Sequence, residues 1–318
     1  MAGSSKKAIY AGLIGNSLIA VTKFVAASIT GSAAMISEGI HSLVDTGNQV
    51  LLLLGLRKAA QPPSKDFPFG HGKEIYFWSF VVAILIFALG AGISLYKGYQ
   101  HVLHPEPLTN VTINYIVLAA AILFEAGAFY VAYKEFAKEK GELGLLEAVR
   151  RGKDPSLFVV LFEDGAAMLG LLVALAGIAL AQVTGNPVFD GLASMGIGLI
   201  LAGTAFWLAY ETKSLLIGEA ASSWLVEDIR DLLGAQSDIK TVNEVATLHM
   251  GPDFVLAAIS VDFADDMSAD DLENRVTELT GLIKQIDPSL RRVFIEAERR
   301  IDHGKARVAD MLAHAPRT

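Results

Sequence analysis

Six stretches of this 318-residue chain each approach the roughly 20 consecutive apolar residues that a helix needs to cross a bilayer. They lie near 8–29, 33–56, 75–99, 112–134, 156–181 and 188–211. No feature limits the fold more. Hydrocarbon offers the backbone no water to bond, so such segments must close their own hydrogen bonds as helices. The expected architecture is an all-α, six-helix transmembrane domain over residues 1–212. A small soluble α+β domain follows over 213–299, and a polar tail over 300–318. Composition agrees, with 53% hydrophobic residues and a mean hydropathy of +0.45. Lys6 and Lys7 precede an apolar segment too long for a signal peptide, with no small-residue cleavage site after it, so it reads as a retained span.

Charge separates the two parts. Up to Thr212 there are 14 Lys and Arg against 15 Asp and Glu; from Lys213 onward there are 12 against 19. An acidic soluble domain argues against nucleic acid as a partner. The chain has no cysteine, which excludes disulfides, thiolate metal sites and cysteine nucleophiles. Lys and Arg gather in the N-terminus (Lys6, Lys7), the second loop (Arg57, Lys58, Lys65, Lys73) and the fourth loop (Lys138, Lys140, Arg150, Arg151, Lys153). The loops at Thr30–Ser32 and Thr184–Pro187 have none. The positive-inside rule then places both termini and the soluble domain in the cytoplasm. With no Arg/Ser-rich leader in view, the expected location is a bacterial inner membrane, the chain crossing it several times.

Beyond Lys213 the periodicity changes. Trp224–Leu233 and Asp270–Ile286 repeat their apolar residues at helical spacing, whereas Val242–His249, Val255–Phe263 and Arg292–Ala297 read as strands. Gly251-Pro252-Asp253 is a hairpin signal. The order is α-β-β-α-β, a small sheet with helices on one face.

The chemistry lies inside the spans. Glu38, His41 and Asp45 fall on one stripe of the second helix. Each ionised group there costs about 2.5–3.5 kcal/mol against lipid, so the stripe must face a cavity, a partner or a cation. Glu163 and Asp164 are adjacent in the fifth helix and point about 100° apart, so only one can share a stripe with a central site. Imidazole with carboxylates is an N/O ligand set that suits Zn²⁺, and also Mn²⁺, Fe²⁺ or Co²⁺. Glu125, alone in the fourth helix, is either a proton-carrying group or a partner for Lys23 or Asn16. His101 and His104 read as interfacial surface, and Asp190 as the N-cap of the sixth helix. No HExxH or GxSxG motif is present, so no hydrolase, and no enzyme of any kind, is expected.

Two runs carry a family resemblance. Ile29-Thr30-Gly31-Ser32-Ala33-Ala34-Met35-Ile36-Ser37-Glu38-Gly39-Ile40-His41-Ser42-Leu43-Val44-Asp45 resembles the second helix of the cation diffusion facilitators, and Phe67-Pro68-Phe69-Gly70-His71-Gly72-Lys73-Glu74 resembles the segment before their third. Asp154-Pro155-Ser156, Leu161-Phe162-Glu163-Asp164 and Leu216-Ile217-Gly218-Glu219 are similar to a subgroup that includes a mitochondrial zinc transporter. The resemblance implies a homodimeric metal/proton antiporter that exports Zn²⁺ (or Mn²⁺, Fe²⁺, Co²⁺) from the cytoplasm by alternating access. It implies no cofactor, and a copper-chaperone-like soluble domain used for dimerisation. It also implies His41, Asp45 and Asp164 as metal ligands. Val160 stands where many relatives carry a fourth ligand, so Glu163, Glu38 or water is expected to complete the site. His71 remains in the accessory loop, but Phe67 and Ser64 replace the other ligands. Asn243, Ser260, Glu296 and Glu298 leave the soluble domain with at best weak metal binding. The other reading is a metal-responsive scaffold that transports nothing.

Overall fold

The structure, a computed structural model, describes residues 2–108, 110–140, 144, 148 and 154–305. The basic run at 150–153 and the tail beyond 305 lie outside the described residues. The chain divides into two compact units, residues 1–216 and 217–318.

The first unit is helical: α1 (Ala2–Thr30), α2 (Ala33–Ala59), α3 (Glu74–Leu103), α4 (Val111–Lys140), α5 (Pro155–Thr184) and α6 (Val188–Ile217). Among the described residues five helices are long and apolar enough to cross a membrane: α1 over Leu13–Thr30, α3, α4 over Val111–Lys138, α5 and α6. α2 is not among them. Its 27 residues include Glu38, His41, Asp45, Asn48 and Gln49, which lower its hydropathy. Those five side chains are all buried, because α2 packs against α1, α3 and α5. An isolated helix of this composition would be a poor span, and its neighbours shelter it.

Helix ends follow local rules. Gly31, at φ +72, supplies the left-handed residue that ends α1. Ser32 caps α2, its side chain accepting from the Met35 N–H at 3.2 Å. Asp154 caps α5 through the Ser156 N–H at 3.0 Å, with Pro155 in the first turn. α3 is interrupted at Ile86–Ala91 by a π-helical turn, an inserted residue that re-aims the face beyond it. Close helix crossings rest on small residues. A Cβ added at Gly98 of α3 would fall 2.7 Å from the Gly191 carbonyl oxygen of α6.

The second unit is the expected α-β-β-α-β domain: α7 (Ser223–Gly234), β1 (Ile239–Gly251), β2 (Phe254–Phe263), α8 (Ala269–Ile286) and β3 (Leu290–Ala297). The sheet order is β1-β2-β3, antiparallel between β1 and β2 and parallel between β2 and β3. Alternate β2 residues Val255, Ala257, Ile259 and Val261 point into one core with Leu225 and Ile229 of α7 and Leu279 and Ile283 of α8. Arg275 of α8 clamps Asp238 with Nε at 2.7 Å and Nη2 at 3.0 Å, and this fork holds the Asp238 carboxyl below the usual carboxylate range.

Candidate functional site

The polar stripe of α2 is fixed by the cap that starts the helix, and that cap reaches across the bundle. Asp190 of α6 accepts from Ser32 Oγ at 2.6 Å, from the Ala33 N–H at 2.6 Å and from the Ala34 N–H at 3.3 Å. The expectation that Asp190 caps its own helix is therefore corrected: it caps α2, satisfying N–H groups that a helix start leaves open. His101 is also corrected. It is buried, with Nε2 3.8 Å from Asp190, because α3 crosses α6 closely enough to enclose it; His104 is exposed. Around this end of the bundle Ser37 bonds Ser194 at 2.6 Å, Ser194 donates to the Ser94 carbonyl at 2.9 Å, and Thr30 donates to Asn114 at 2.8 Å.

One turn further along α2, Glu38 meets Lys23 of α1. Lys23 Nζ donates to Glu38 Oε2 at 3.0 Å and to Ser42 Oγ at 2.8 Å, with both charged side chains fully buried. Lys23 thus pairs with Glu38 rather than with Glu125. The Lys23–Glu38 pair lies between the stripe and the face bearing the loops at 31–32 and 185–187.

Below that pair the hydrogen bonding thins. Asp45 lies 12 residues into α2, about 18 Å along its axis, and Asp164 lies 9 residues into α5 from the opposite face, about 14 Å. Asp45 therefore sits near the middle of its 27-residue helix, and Asp164 about a third of the way along its 30-residue one. His41 Nδ1 is 3.3 Å from Asp45 Oδ1, yet neither ring nitrogen makes a hydrogen bond. Glu163 accepts from Asn48 Nδ2 at 2.5 Å and its carboxyl interacts with that of Asp45. Glu125 is buried with no hydrogen bond to either oxygen. Two adjacent carboxyls in low dielectric need a proton or a cation between them.

Glu163 and Asp164 diverge as their helical offset requires. Glu163 turns to α2. Asp164 lines a cavity of about 470 Å³ between α1, α2, α4 and α5, which Val160, Asn16 and Gln49 also line. That cavity occupies the half of the bundle nearer the N-terminus and the second loop. The structure brings His41, Asp45 and Glu163 into one neighbourhood with Asp164 beside it. Among the described residues no three His, Asp or Glu side chains already converge on one metal position.

Sequence reasoning missed the amides. Asn48 and Gln49 are buried, and Asn48 Oδ1 and Gln49 Oε1 make no hydrogen bond. Their position one turn beyond Asp45 was the available signal. In the loop before α3, His71 packs against Phe67 with the rings tilted by 43° and their centroids 4.4 Å apart. In the second unit Asn243 Nδ2 donates to Ser260 Oγ at 3.1 Å and to the Glu298 backbone carbonyl at 2.8 Å, and Ser260 Oγ donates to Glu298 Oε2 at 3.1 Å, while Asn243 Oδ1 makes no hydrogen bond. His249 is buried.

Residues 9–217 match the cation efflux transmembrane domain. The chain is 37% identical over 265 residues to the proton-coupled zinc antiporter SLC30A9, mitochondrial, of Xenopus laevis, covering 83% of this chain and 47% of that one. Identity to the protein of the same name from Homo sapiens is 36% over 251 residues, 78% of this chain and 44% of the other. With the cation-efflux pump FieF of Escherichia coli O127:H6 it is 25% over 237 residues, 74% of each. The chain thus spans less than half the length of the first two relatives. The expectation of a bacterial inner membrane does not stand, since both of those relatives are named as mitochondrial. It rested on the lack of a leader, and the start of a chain matching half of its relatives carries no such information. The match over most of the bundle, with the motifs of α2 and α5, makes this chain a member of the cation efflux family.

Proposed function

We propose that this chain exchanges Zn²⁺ for protons across a membrane, with His41, Asp45 and Asp164 as metal ligands and Glu163 as the residue that completes the site. The observation that carries this reading is His41: a buried imidazole with both nitrogens free of hydrogen bonds, beside a carboxylate, in the middle of a bilayer-length bundle. Structural histidines are normally tied by at least one ring nitrogen, and here the lone pair is left for something else. The names of the two antiporter relatives support zinc as cargo and protons as the counter-ion.

The exchange follows from competition. His41 must be neutral and the carboxylates ionised to hold a metal, so binding expels protons and protonation expels the metal. Metal enters from the cavity beside Asp164, and the ligands close around it. Helices then rock to open the path now sealed by the Lys23–Glu38 pair. Protons arriving there displace the metal, and the near-neutral protonated site returns. Glu125, buried and unbonded, is positioned to carry one of those protons. Transport on this account runs from the face with the basic second loop to the other, and no covalent catalysis is involved.

α2 serves as a sixth span, its polar stripe shielded by α1, α3 and α5. The second unit is read as a copper-chaperone-like domain whose β-α-β pairing holds two chains as a homodimer. With Val160, which has no lone pair, at that position, water or Glu163 fills the shell, which loosens discrimination among Zn²⁺, Mn²⁺, Fe²⁺ and Co²⁺. Metal flux into liposomes containing the purified protein tests the proposal. Zn²⁺ uptake driven by an imposed pH gradient, with the other ions as weaker competitors, is the expected result. Folded protein that moves no metal would make it a scaffold instead.

A further inference from the structure

Spacing alone makes Glu38 a ligand candidate, since it shares the stripe of His41 and Asp45. Its surroundings assign it elsewhere. Oε2 is 3.0 Å from Lys23 Nζ, and Ser42 Oγ takes a second ammonium proton at 2.8 Å. Oε1 makes no hydrogen bond and lies against Gly170 of α5, where no room remains for a Cβ. Both members of the pair are fully buried. A buried ion pair is a poor source of stability, because desolvation consumes much of its attraction and apolar replacements often do as well. Lys23 also lies close enough to act electrostatically on His41, Asp45 and Glu125. It is a cation built into the site.

We propose that Lys23 is a resident cation that withholds Glu38 from the transported metal and so sets the metal preference of the site. The inference rests on the reading of His41, Asp45 and Asp164 as ligands. With Glu38 occupied, the site offers one imidazole and the carboxylates of Asp45, Asp164 and Glu163, an N/O set that takes Zn²⁺. With Glu38 released, the same stripe would gain a hard oxygen donor one turn from His41. Added carboxylate moves preference toward Mn²⁺ and other oxygen-seeking ions.

The test is Zn²⁺ binding with Mn²⁺ competition on the full chain in detergent. It compares wild type, Lys23→Gln, Glu38→Gln, the double variant and Asp45→Asn. The double variant should keep Zn²⁺ affinity within about threefold of wild type, because Glu38 is no ligand and no unpaired charge is left beside the site; Glu38→Gln alone leaves the Lys23 ammonium unpaired there and should bind Zn²⁺ more weakly. Lys23→Gln should raise Mn²⁺ affinity relative to Zn²⁺ by about tenfold or more, and the double variant should return to the wild-type ratio. A tenfold loss of Zn²⁺ affinity in the double variant would make Glu38 a ligand and overturn the proposal. So would a folded Lys23→Gln protein with an unchanged metal ratio. Where Lys23→Gln does not fold, the double variant, which buries no unpaired charge, still decides. Asp45→Asn separates the two claims: wild-type Zn²⁺ binding there removes the site itself, whereas loss there with no effect at Lys23 removes only the resident-cation proposal.

Discussion

The two halves of the helical bundle spend their buried polar groups differently. Toward the loops at 31–32 and 185–187, Asp190, Ser32, Ser37, Ser194 and the Lys23–Glu38 pair bond across helices. In the middle and toward the second loop, His41 bonds through neither ring nitrogen and Glu125 through neither oxygen, beside the unbonded Asn48 Oδ1 and Gln49 Oε1; at the loop end the leftovers are single atoms, Glu38 Oε1, Ser94 Oγ, His101 Nε2 and Asn114 Nδ2. An unbonded buried polar group costs on the order of 1–3 kcal/mol. Bonded groups hold the helices together, and the unbonded ones mark where the protein leaves capacity for an ion that comes and goes. Burial alone does not separate the two roles, because Asp190 and Asp45 are both sequestered.

Substitutions can break this contrast. The largest effect is expected from Asp45→Ala and Asp164→Ala, each of which should abolish Zn²⁺ flux into liposomes while the protein elutes as folded material. Normal flux in either would erase the functional half of the comparison. Next is Val160→His. Residues 160 and 164 line one cavity, so an imidazole there can take the place proposed for Glu163 with a nitrogen donor. Zn²⁺ affinity should rise by about tenfold and Mn²⁺ competition should weaken, both read by titration in detergent. An unchanged affinity would mean the metal does not sit at this end of the cavity.

Asp190→Ala addresses the bonded half. It strips three donors at the start of α2 of their acceptor and should cost about 1–3 kcal/mol. The lower thermal midpoint should come with unaltered Zn²⁺ affinity; a selective loss of Zn²⁺ binding would place Asp190 in the site. The smallest effect lies in the second unit. Asp238 has a lowered folded pKa because Arg275 donates to it. Its stabilisation is present above its unfolded value near 3.9 and is lost as pH falls through the lower folded value. Arg275→Met should therefore lower the melting temperature slightly at neutral pH, with the gap to wild type narrowing below about pH 4. A gap independent of pH would assign the loss to packing of the Arg275 stem.

Much of this was legible in the sequence because it is local. The strands and helices after Lys213 follow from periodicity, and the α2 stripe from the spacing of Glu38, His41 and Asp45. The divergence of Glu163 and Asp164 follows from a 100° step, although which neighbour each meets does not. What escaped is long-range. The Lys23–Glu38 pair depends on how α1 lies against α2. Asp190 reaches Ser32 across 158 residues, and no local rule says which helix a carboxylate will cap. The π turn at Ile86–Ala91 has no sequence signature in its apolar run. The same composition that made α2 informative keeps it less apolar than the five helices that qualify as spans by composition.

The central claim is that metal and protons compete for the unbonded half of the bundle. Calorimetric titration of the purified chain with Zn²⁺, in two buffers of different ionisation enthalpy, counts the protons released per metal bound. The account predicts proton release on Zn²⁺ binding, with both binding and release lost in Asp45→Ala. Zn²⁺ bound without proton release, or bound equally well by Asp45→Ala, would contradict it.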